Sequence, residues 1–113
     1  MAEKLPQPDR ERIELGDVLA ALADPLRREV VARLAAAPEG TERTCVSFGF
    51  PLAKASLTHH FRILREAGLI AQTDYGNRRM SSLRRADIDA RFPGLLALLE
   101  AELAASMAVP ALG

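Results

Sequence analysis

The chain has 113 residues, which is enough for one domain with one hydrophobic core and too few for two independent domains. Fifteen basic and fifteen acidic side chains cancel, so total charge does not indicate nucleic-acid binding, and 49% hydrophobic with 4% aromatic residues favours a helical core of aliphatic side chains. The single cysteine excludes an intramolecular disulfide and a CxxC metal motif, and without 18 consecutive apolar residues we expect a cytoplasmic protein with no membrane partner.

An arm and a first helix are predicted for the N-terminal 22 residues. Residues 1–8 carry two prolines among polar side chains, which predicts a flexible N-terminal arm. A helix is expected from about 9 to 22, although Gly16 weakens its middle. The residues expected on its buried side are Ile13, Val18, Leu19 and Leu22.

A second helix is predicted with a clear start. Asp24 can cap the helix and Pro25 suits its first position, and apolar side chains follow at helical spacing until the helix ends near Ala37. The next segment, 41–50, contains few helix formers. We interpret it either as one short irregular helix or as a strand-like connection.

The stretch 51–70 is the most informative part of the chain. In a helix of about 52–67, Leu57, Phe61 and Leu64 fall on one apolar stripe, and Gly68 then ends the helix. Small, polar or cationic side chains occupy the other side, which predicts a hydrogen-bonding face that contacts another molecule. We interpret this as a helix that lies in a DNA major groove.

The C-terminal third is predicted to form a hairpin and a final helix. Two short strands span 70–83 around a turn at Tyr75-Gly76-Asn77, since Gly and Asn tolerate positive φ. Residues 84–92 are expected to form one or two helical turns, and residues 95–107 a strongly apolar helix. We therefore predict one domain over 9–107 and a C-terminal tail over 108–113.

Two segments of this chain resemble the ArsR/SmtB family of bacterial winged-helix transcription regulators. LADPLRREVVARL resembles that family's second helix, and KASLTHHFRILREAGLI resembles its recognition helix. The resemblance covers about residues 18–89. It implies a mainly α fold with a small β-hairpin, a winged helix-turn-helix whose terminal helices form a dimer interface. The chain departs from the pattern in a shortened lead-in between Cys45 and Lys54, and in Ala53 at the usual Ser/Thr cap position.

The resemblance implies that this chain binds double-stranded DNA. The charge distribution also favours DNA binding, since residues 54–91 contain eight basic and four acidic side chains and so form a basic segment. An exposed polar face is the simpler alternative. The recognition-helix residues that match contacting positions of the family are Lys54, Ser56, Thr58 and His59. Arg62 is expected to meet phosphate, and the wing residues Arg78 and Arg79 to reach the flanking backbone, with one of the two pairing with a carboxylate such as Asp74.

The apolar terminal helix is expected either to be buried in the monomer or to join two subunits. The resemblance favours a homodimer, which would bind an imperfect inverted-repeat operator. The residues predicted at this interface are Leu95, Leu96, Leu98, Leu99, Leu103 and Met107.

No metal site can be assigned from the sequence. His59 and His60 are neighbours that point about 100° apart on a helix, so we expect His59 outside and His60 packed or bonded locally. The terminal helix lacks the His residues that bind zinc or nickel in some family members. Cys45 is interpreted as a buried structural thiol, with redox sensing or a ligand shared across a dimer as alternatives.

We predict a sequence-specific transcription regulator, most simply a homodimeric repressor, that requires no cofactor. Its effector would be a divalent metal of the Ni or Zn class, or a signal supplied through a separate sensor protein. The alternative is a protein-interaction winged-helix module without specific DNA binding. An enzyme is not indicated, because the residues offer no nucleophile–base set.

Overall fold

Helices form most of the structure, a computed structural model that describes residues 2–108. The helices within this range are α1 (Leu15–Leu22), α2 (Pro25–Ala36), α3 (Lys54–Glu66), α4 (Arg85–Arg91) and α5 (Leu95–Ala108). The strands are β1 (Glu3–Lys4), β2 (Glu42–Arg43), β3 (Ile70–Asp74) and β4 (Arg79–Leu83). Short 3-10 helices form at Arg10–Arg12 and Cys45–Phe48. This order confirms the predicted mainly α, winged helix-turn-helix fold.

The second helix forms as predicted because its start is chemically specified. An Asp24 carboxylate oxygen accepts hydrogen bonds from the backbone N–H groups of Leu26 (2.8 Å) and Arg27 (3.1 Å). Pro25 occupies the first turn, where its missing N–H costs nothing. Val30 and Leu34 are buried on the inner side of α2, which places this helix in the centre of the core.

The first helix is shorter than predicted. Only a 3-10 turn forms at Arg10–Arg12, and α1 begins at Leu15 after an extended segment. This break lets Ile13 enter the core, where it packs against Gly68; a Cβ added at Gly68 would lie 2.6 Å from Ile13 Cγ1. Leu19, predicted to be buried, is 52% exposed.

The predicted N-terminal arm is attached to the fold over its described part. Glu3 and Lys4 form β1, which pairs antiparallel with β3, and the Leu5 N–H donates to the Gln72 carbonyl at 2.9 Å. Arg65 also donates to the Pro6 carbonyl at 3.0 Å. The sequence predicted a flexible arm here, whereas in the structure these backbone groups find partners on the hairpin and on α3.

The hairpin belongs to a larger antiparallel sheet with the strand order β1-β3-β4-β2. Its register runs from Ile70 opposite Leu83 to Asp74 opposite Arg79. The segment 41–50, read as either a short helix or a strand-like connection, contains both, since β2 pairs with β4 before the 3-10 helix begins. The sheet thus supports the wing on both sides, with β1 beside the end of β3 that leads into the turn and β2 beside Ser81 and Ser82 of β4.

The terminal helix α5 packs against α2, which corrects part of the predicted dimer interface. Leu96 and Leu99 are only 2% and 5% exposed, so they belong to the monomer core and cannot form a dimer contact. Leu95 and Leu103 are partly buried against the same core. Leu98 and Met107 remain exposed.

The end of α5 also bears on the predicted tail of 108–113. Ala108 still belongs to α5, and residues 109–113 lie outside the described residues. Across residues 2–108, we find no helix with the length and apolar character needed to cross a membrane.

Candidate nucleic-acid interface

The helix α3 is held by one apolar stripe and leaves its opposite side open. Leu57, Phe61 and Leu64 are buried, as the helical spacing predicts. Gly68 follows the helix with a φ of 90°, which ends it without the strain that a Cβ would bring. At the start, Ala53 supplies no side-chain cap, so the first N–H groups of α3 receive no acceptor from that residue.

All the predicted contacting side chains of α3 lie on its exposed side. These residues are Lys54, Ser56, Thr58, His59 and Arg62. Helical periodicity therefore places them correctly, while their contacts with DNA stay a prediction. Within the group, an Arg62 Nη2 donor lies 3.1 Å from Nδ1 of His59.

The two adjacent histidines face different surroundings, as predicted. His59 is exposed, whereas His60 is partly buried. An Arg27 Nη1 donor lies 3.2 Å from Nδ1 of His60, and Arg27 Nε donates to the Ala21 carbonyl at 2.8 Å. His60 thus bonds within the fold and helps to hold α3 against α1 and α2.

The tip of the wing is closed by short local hydrogen bonds. The Tyr75 N–H donates to the Arg78 carbonyl at 2.8 Å, and the Gly76 N–H donates to an Asp74 carboxylate oxygen at 2.8 Å. The Tyr75 hydroxyl donates to the Glu42 carboxylate at 3.1 Å, which raises the pKa of Tyr75. The tip is therefore joined to β2 as well as to its own strands.

The two wing arginines differ in their neighbours. The Arg78 guanidinium lies 4.9 Å from the centre of the Tyr75 ring, so it is positioned by a cation–π contact. Arg79 lies 3.9 Å from the Asp74 carboxylate, a weak and exposed ion pair. The prediction that one of the two pairs with a carboxylate is confirmed, and the paired residue is Arg79.

A groove of about 440 Å³ separates the wing from the first turns of α3. Lys54 and Thr58 line one wall, and Arg78 and Arg79 line the other. Cations on both walls make this groove a favourable place for a polyanion. The sequence contained every one of these residues, but only the fold shows that they face one another.

Cys45 lies at the inner end of this groove and is partly buried. Burial raises the pKa of its thiol, and the smaller effects of its own backbone, of Arg79 and of Ser81 act in the opposite direction. A thiol that stays protonated is a poor nucleophile and metal ligand, in keeping with a structural role. Among residues 2–108, no three His, Cys, Asp or Glu side chains are grouped to hold a metal ion.

Two arginines that position the interface were not identified from the sequence. Arg33 donates to the Phe48 carbonyl at 3.0 Å and lies 5.0 Å from the Phe48 ring centre, so it holds the short 3-10 helix that precedes α3. Arg65 donates to the buried side chain of Gln72 at 2.5 Å and so joins the end of α3 to the wing. An arginine on a partly apolar helix face indicates that its side chain bonds within the fold. The sequence does not show which residue it bonds to.

Known proteins share this architecture. A family model described as a helix-turn-helix domain matches residues 22–73. The fold is similar to that of a solved ArsR family transcriptional regulator, with 27% sequence identity and a TM-score of 0.58 over 82% of this chain and 91% of that chain. It is also similar to an ArsR-like transcriptional regulator from Rhodococcus sp. RHA1, with 22% identity and a TM-score of 0.53 over 83% and 86% of the two chains. No curated protein sequence matches.

The matched region extends from the end of α1 into β3 and so contains α3 with its lead-in. The Rhodococcus structure supports the fold alone at its level of identity. Family and fold together point to a DNA-binding regulator and not to an enzyme. These similarities support the family predicted from the two sequence segments, that of the ArsR-type winged helix-turn-helix transcription regulators.

Proposed function

We propose that this protein is a homodimeric repressor that places α3 in the major groove of its operator and the wing against the flanking backbone. The observation that carries this proposal is the groove between α3 and the wing. Its walls present Lys54 on one side and Arg78 and Arg79 on the other, beside the exposed polar face of α3. Phosphate contacts of this kind set the position of a protein on DNA, and base contacts from α3 set the sequence.

The electrostatics of α3 support the same arrangement. Its first turn lacks a side-chain cap and begins with Lys54, so backbone N–H dipoles and a cation occur together at the entrance to the groove. A helix N-terminus favours anions, and a DNA phosphate would supply the missing acceptor. Salt-dependent binding follows from this arrangement.

Exposed apolar side chains support a second copy of the chain as the dimer partner. Leu15 and Leu19 are 49% and 52% exposed on α1, and Leu98 and Met107 are 66% and 78% exposed on α5. These residues lie on the first and the last α-helix of the fold. A two-fold dimer would place two copies of α3 about one DNA turn apart, roughly 34–36 Å, and so require an inverted-repeat operator.

A repressor of this kind would release DNA when an effector favours a dimer with a different spacing of the two α3 helices. The effector would be a divalent metal such as Ni²⁺ or Zn²⁺, or a signal from a separate sensor protein. Addition of each metal to the protein–DNA complex separates these options. A metal effector changes operator affinity directly, whereas a separate sensor leaves it unchanged until the partner is added.

The direct test is titration of labelled DNA from the protein's own upstream region, compared with random duplex, at several salt concentrations. We expect preferential binding to the upstream DNA, and about a tenfold loss of affinity for His59→Ala and for Arg62→Ala. Arg12→Ala is the matched control for Arg62→Ala, because Arg12 is also an exposed arginine but lies on the 3-10 turn beside α4.

The contrary result would be equal binding to both duplexes with no effect of either α3 variant. That result would favour a protein-interaction module without specific DNA binding. Sedimentation of the free protein tests dimer formation separately. Dimer formation and specific DNA binding can therefore be confirmed or rejected independently.

A further inference from the structure

His59 and Arg62 form a side-chain pair on the exposed face of α3. The two residues are three positions apart, so they share one side of the helix. Arg62 Nη2 lies 3.1 Å from His59 Nδ1, within hydrogen-bond distance, and both side chains are open to solvent. This pair occupies the part of the molecule that the proposed function places in the major groove.

The chemistry of the pair selects one tautomer of the neutral ring. A guanidinium carries only donors, so Nδ1 of His59 must be the acceptor in this hydrogen bond. A neutral imidazole that accepts at Nδ1 carries its single proton on Nε2. Nε2 lies at the end of the ring away from the Cβ atom. His59 therefore presents a hydrogen-bond donor, and no acceptor, beyond its contact with Arg62.

The neighbouring histidine makes the same kind of contact but is less exposed than His59. His60 also accepts at Nδ1 from an arginine, at 3.2 Å from Arg27, but its ring is partly buried between helices. The same pairing thus holds one ring inside the fold and leaves the other exposed on the outer face of α3. Arg62 retains its remaining N–H groups for a phosphate or for the same base.

We propose that His59 reads a guanine in each half-site through its Nε2–H donor and that Arg62 is the positioning residue that fixes the required tautomer. This rests on the proposed entry of α3 into the major groove. The guanine edge there offers two acceptors, N7 and O6, without a donor. Cytosine offers a donor, adenine places a donor beside its acceptor, and thymine places a methyl group beside its acceptor. Guanine therefore suits a donor-only ring best.

Arg62 contributes more than charge under this proposal. Without its guanidinium, the ring would take either tautomer and would accept hydrogen bonds from adenine or cytosine as well as donate to guanine. Arg62→Met removes every N–H donor together with the charge. It should lower the overall affinity through the lost phosphate contact, and it should also reduce the selectivity at one base pair.

The first test is selection of binding sites from randomised duplex by the full-length protein, followed by affinity measurement on each single-base replacement. We expect one guanine per half-site whose replacement lowers wild-type affinity about tenfold. His59→Ala should abolish the preference at this base pair alone, and Arg62→Met should reduce it to about threefold. Arg12→Met, the same exchange outside the interface, should leave the preference unchanged.

A second test measures the tautomer without DNA. Nitrogen-15 NMR of the imidazole groups distinguishes a proton on Nε2 from a proton on Nδ1, and His60→Gln assigns the two rings. We expect the Nε2–H form for His59 in the wild type and a mixture in Arg62→Met. Both variants change exposed or singly bonded side chains, and thermal unfolding verifies that they fold.

The outcomes separate this inference from the proposed function. If the wild type selects a defined site but His59→Ala keeps every base preference, the reading by His59 is wrong and the DNA-binding proposal stands. An Nδ1–H tautomer in the wild type also overturns it. If the wild type selects no sequence at all, the proposed function itself fails.

Discussion

Arg27 and His60 join the recognition helix to the first two helices of the fold. Arg27 Nη1 lies 3.2 Å from His60 Nδ1, and Arg27 Nε donates to the Ala21 carbonyl at the end of α1. One guanidinium thus contacts α1 and α3 from α2. Because α1 also carries the exposed Leu15 and Leu19, this contact connects the proposed dimer face with the helix proposed to read DNA.

We predict that Arg27 and His60 act as a coupled pair. Arg27→Met removes both hydrogen bonds while keeping an apolar chain, and should lower the free energy of unfolding by about 1–2 kcal/mol and weaken operator binding. His60→Leu should have a similar effect. Arg27 and His60 share one contact, so the double variant should lose less free energy of unfolding than the two single variants together. The difference in a double-mutant cycle should be about 0.5–1.5 kcal/mol.

The neighbouring Arg28 provides a matched control for this cycle. Arg28 donates to the Leu22 carbonyl at 2.9 Å and pairs with Glu102 at 2.9 Å, without contact to α3. Arg28→Met should lower stability but show no coupling to His60. Additive losses for Arg27 and His60 in urea unfolding and in DNA titration would contradict the prediction.

The salt dependence of DNA binding should distinguish the two wing arginines. Among residues 2–108, the Arg78 guanidinium contacts the Tyr75 ring and the Asn77 side-chain oxygen, whereas Arg79 lies near the Asp74 carboxylate, so the charge of Arg78 is less compensated and attracts phosphate more strongly. Arg78→Ala should reduce the slope of log affinity against log salt by about 0.9 for each wing. Arg79→Ala should reduce it less. The reverse order, measured by fluorescence anisotropy at several salt concentrations, would be incompatible with this assignment.

Variants of α5 should separate association from folding. Leu98 is 66% exposed, so Leu98→Glu should disrupt the proposed dimer while the monomer stays folded, as light scattering and circular dichroism would show. Leu96 is buried, and Leu96→Ala should lower the free energy of unfolding by about 2–5 kcal/mol. Val46→Glu is the control, because Val46 is 68% exposed on a different element and should not affect dimer mass. A dimeric Leu98→Glu protein would place the interface elsewhere.

The Asp24 cap should make stability depend on acid. Burial raises the pKa of Asp24, but the backbone hydrogen bonds from Arg27 and Leu26 and the nearby positive charges outweigh it, so the pKa lies below the ordinary value of 3.8. A lowered pKa means that the contribution is complete above pH 3.8 and disappears as pH falls through the folded-state pKa. Asp24→Ala should therefore cost about 1 kcal/mol at pH 7 and progressively less in acid.

Urea unfolding of the wild type and of Asp24→Ala, from pH 7 into the acid range, measures how their difference in free energy of unfolding changes with pH. Asp24→Asn, which retains a capping oxygen without the charge, should lie between the two at pH 7. A stability difference that is independent of pH would show that the charge of Asp24 makes no contribution.

Local chemistry made α2, α3 and the hairpin predictable from the sequence. Asp24 with Pro25 specifies a helix start, and Gly68 and Gly76 occupy positive-φ positions at a helix end and a turn. The exposed face of α3 follows from the period of the helix, without knowledge of any tertiary contact. These features depend on a few neighbouring residues, so the local structure that they predict is also the structure found in the folded chain.

Non-local contacts explain what the sequence did not reveal. The break before α1 exists because Ile13 fills the space beside Gly68, which lies 55 positions later in the chain. The two-residue strand β1 forms only because β3 offers a partner. Likewise, the partners of Arg27 and Arg65 lie 33 and 59 positions away, and side-chain periodicity cannot identify them.

The short strands β1 and β2 affect the behaviour of the sheet in solution. Each has two residues and covers the outer side of a five-residue hairpin strand. Unpaired strand edges are templates for strand addition from another molecule, and short covering strands limit that access. The wing can therefore project a hairpin toward DNA without presenting a long open edge that would promote aggregation.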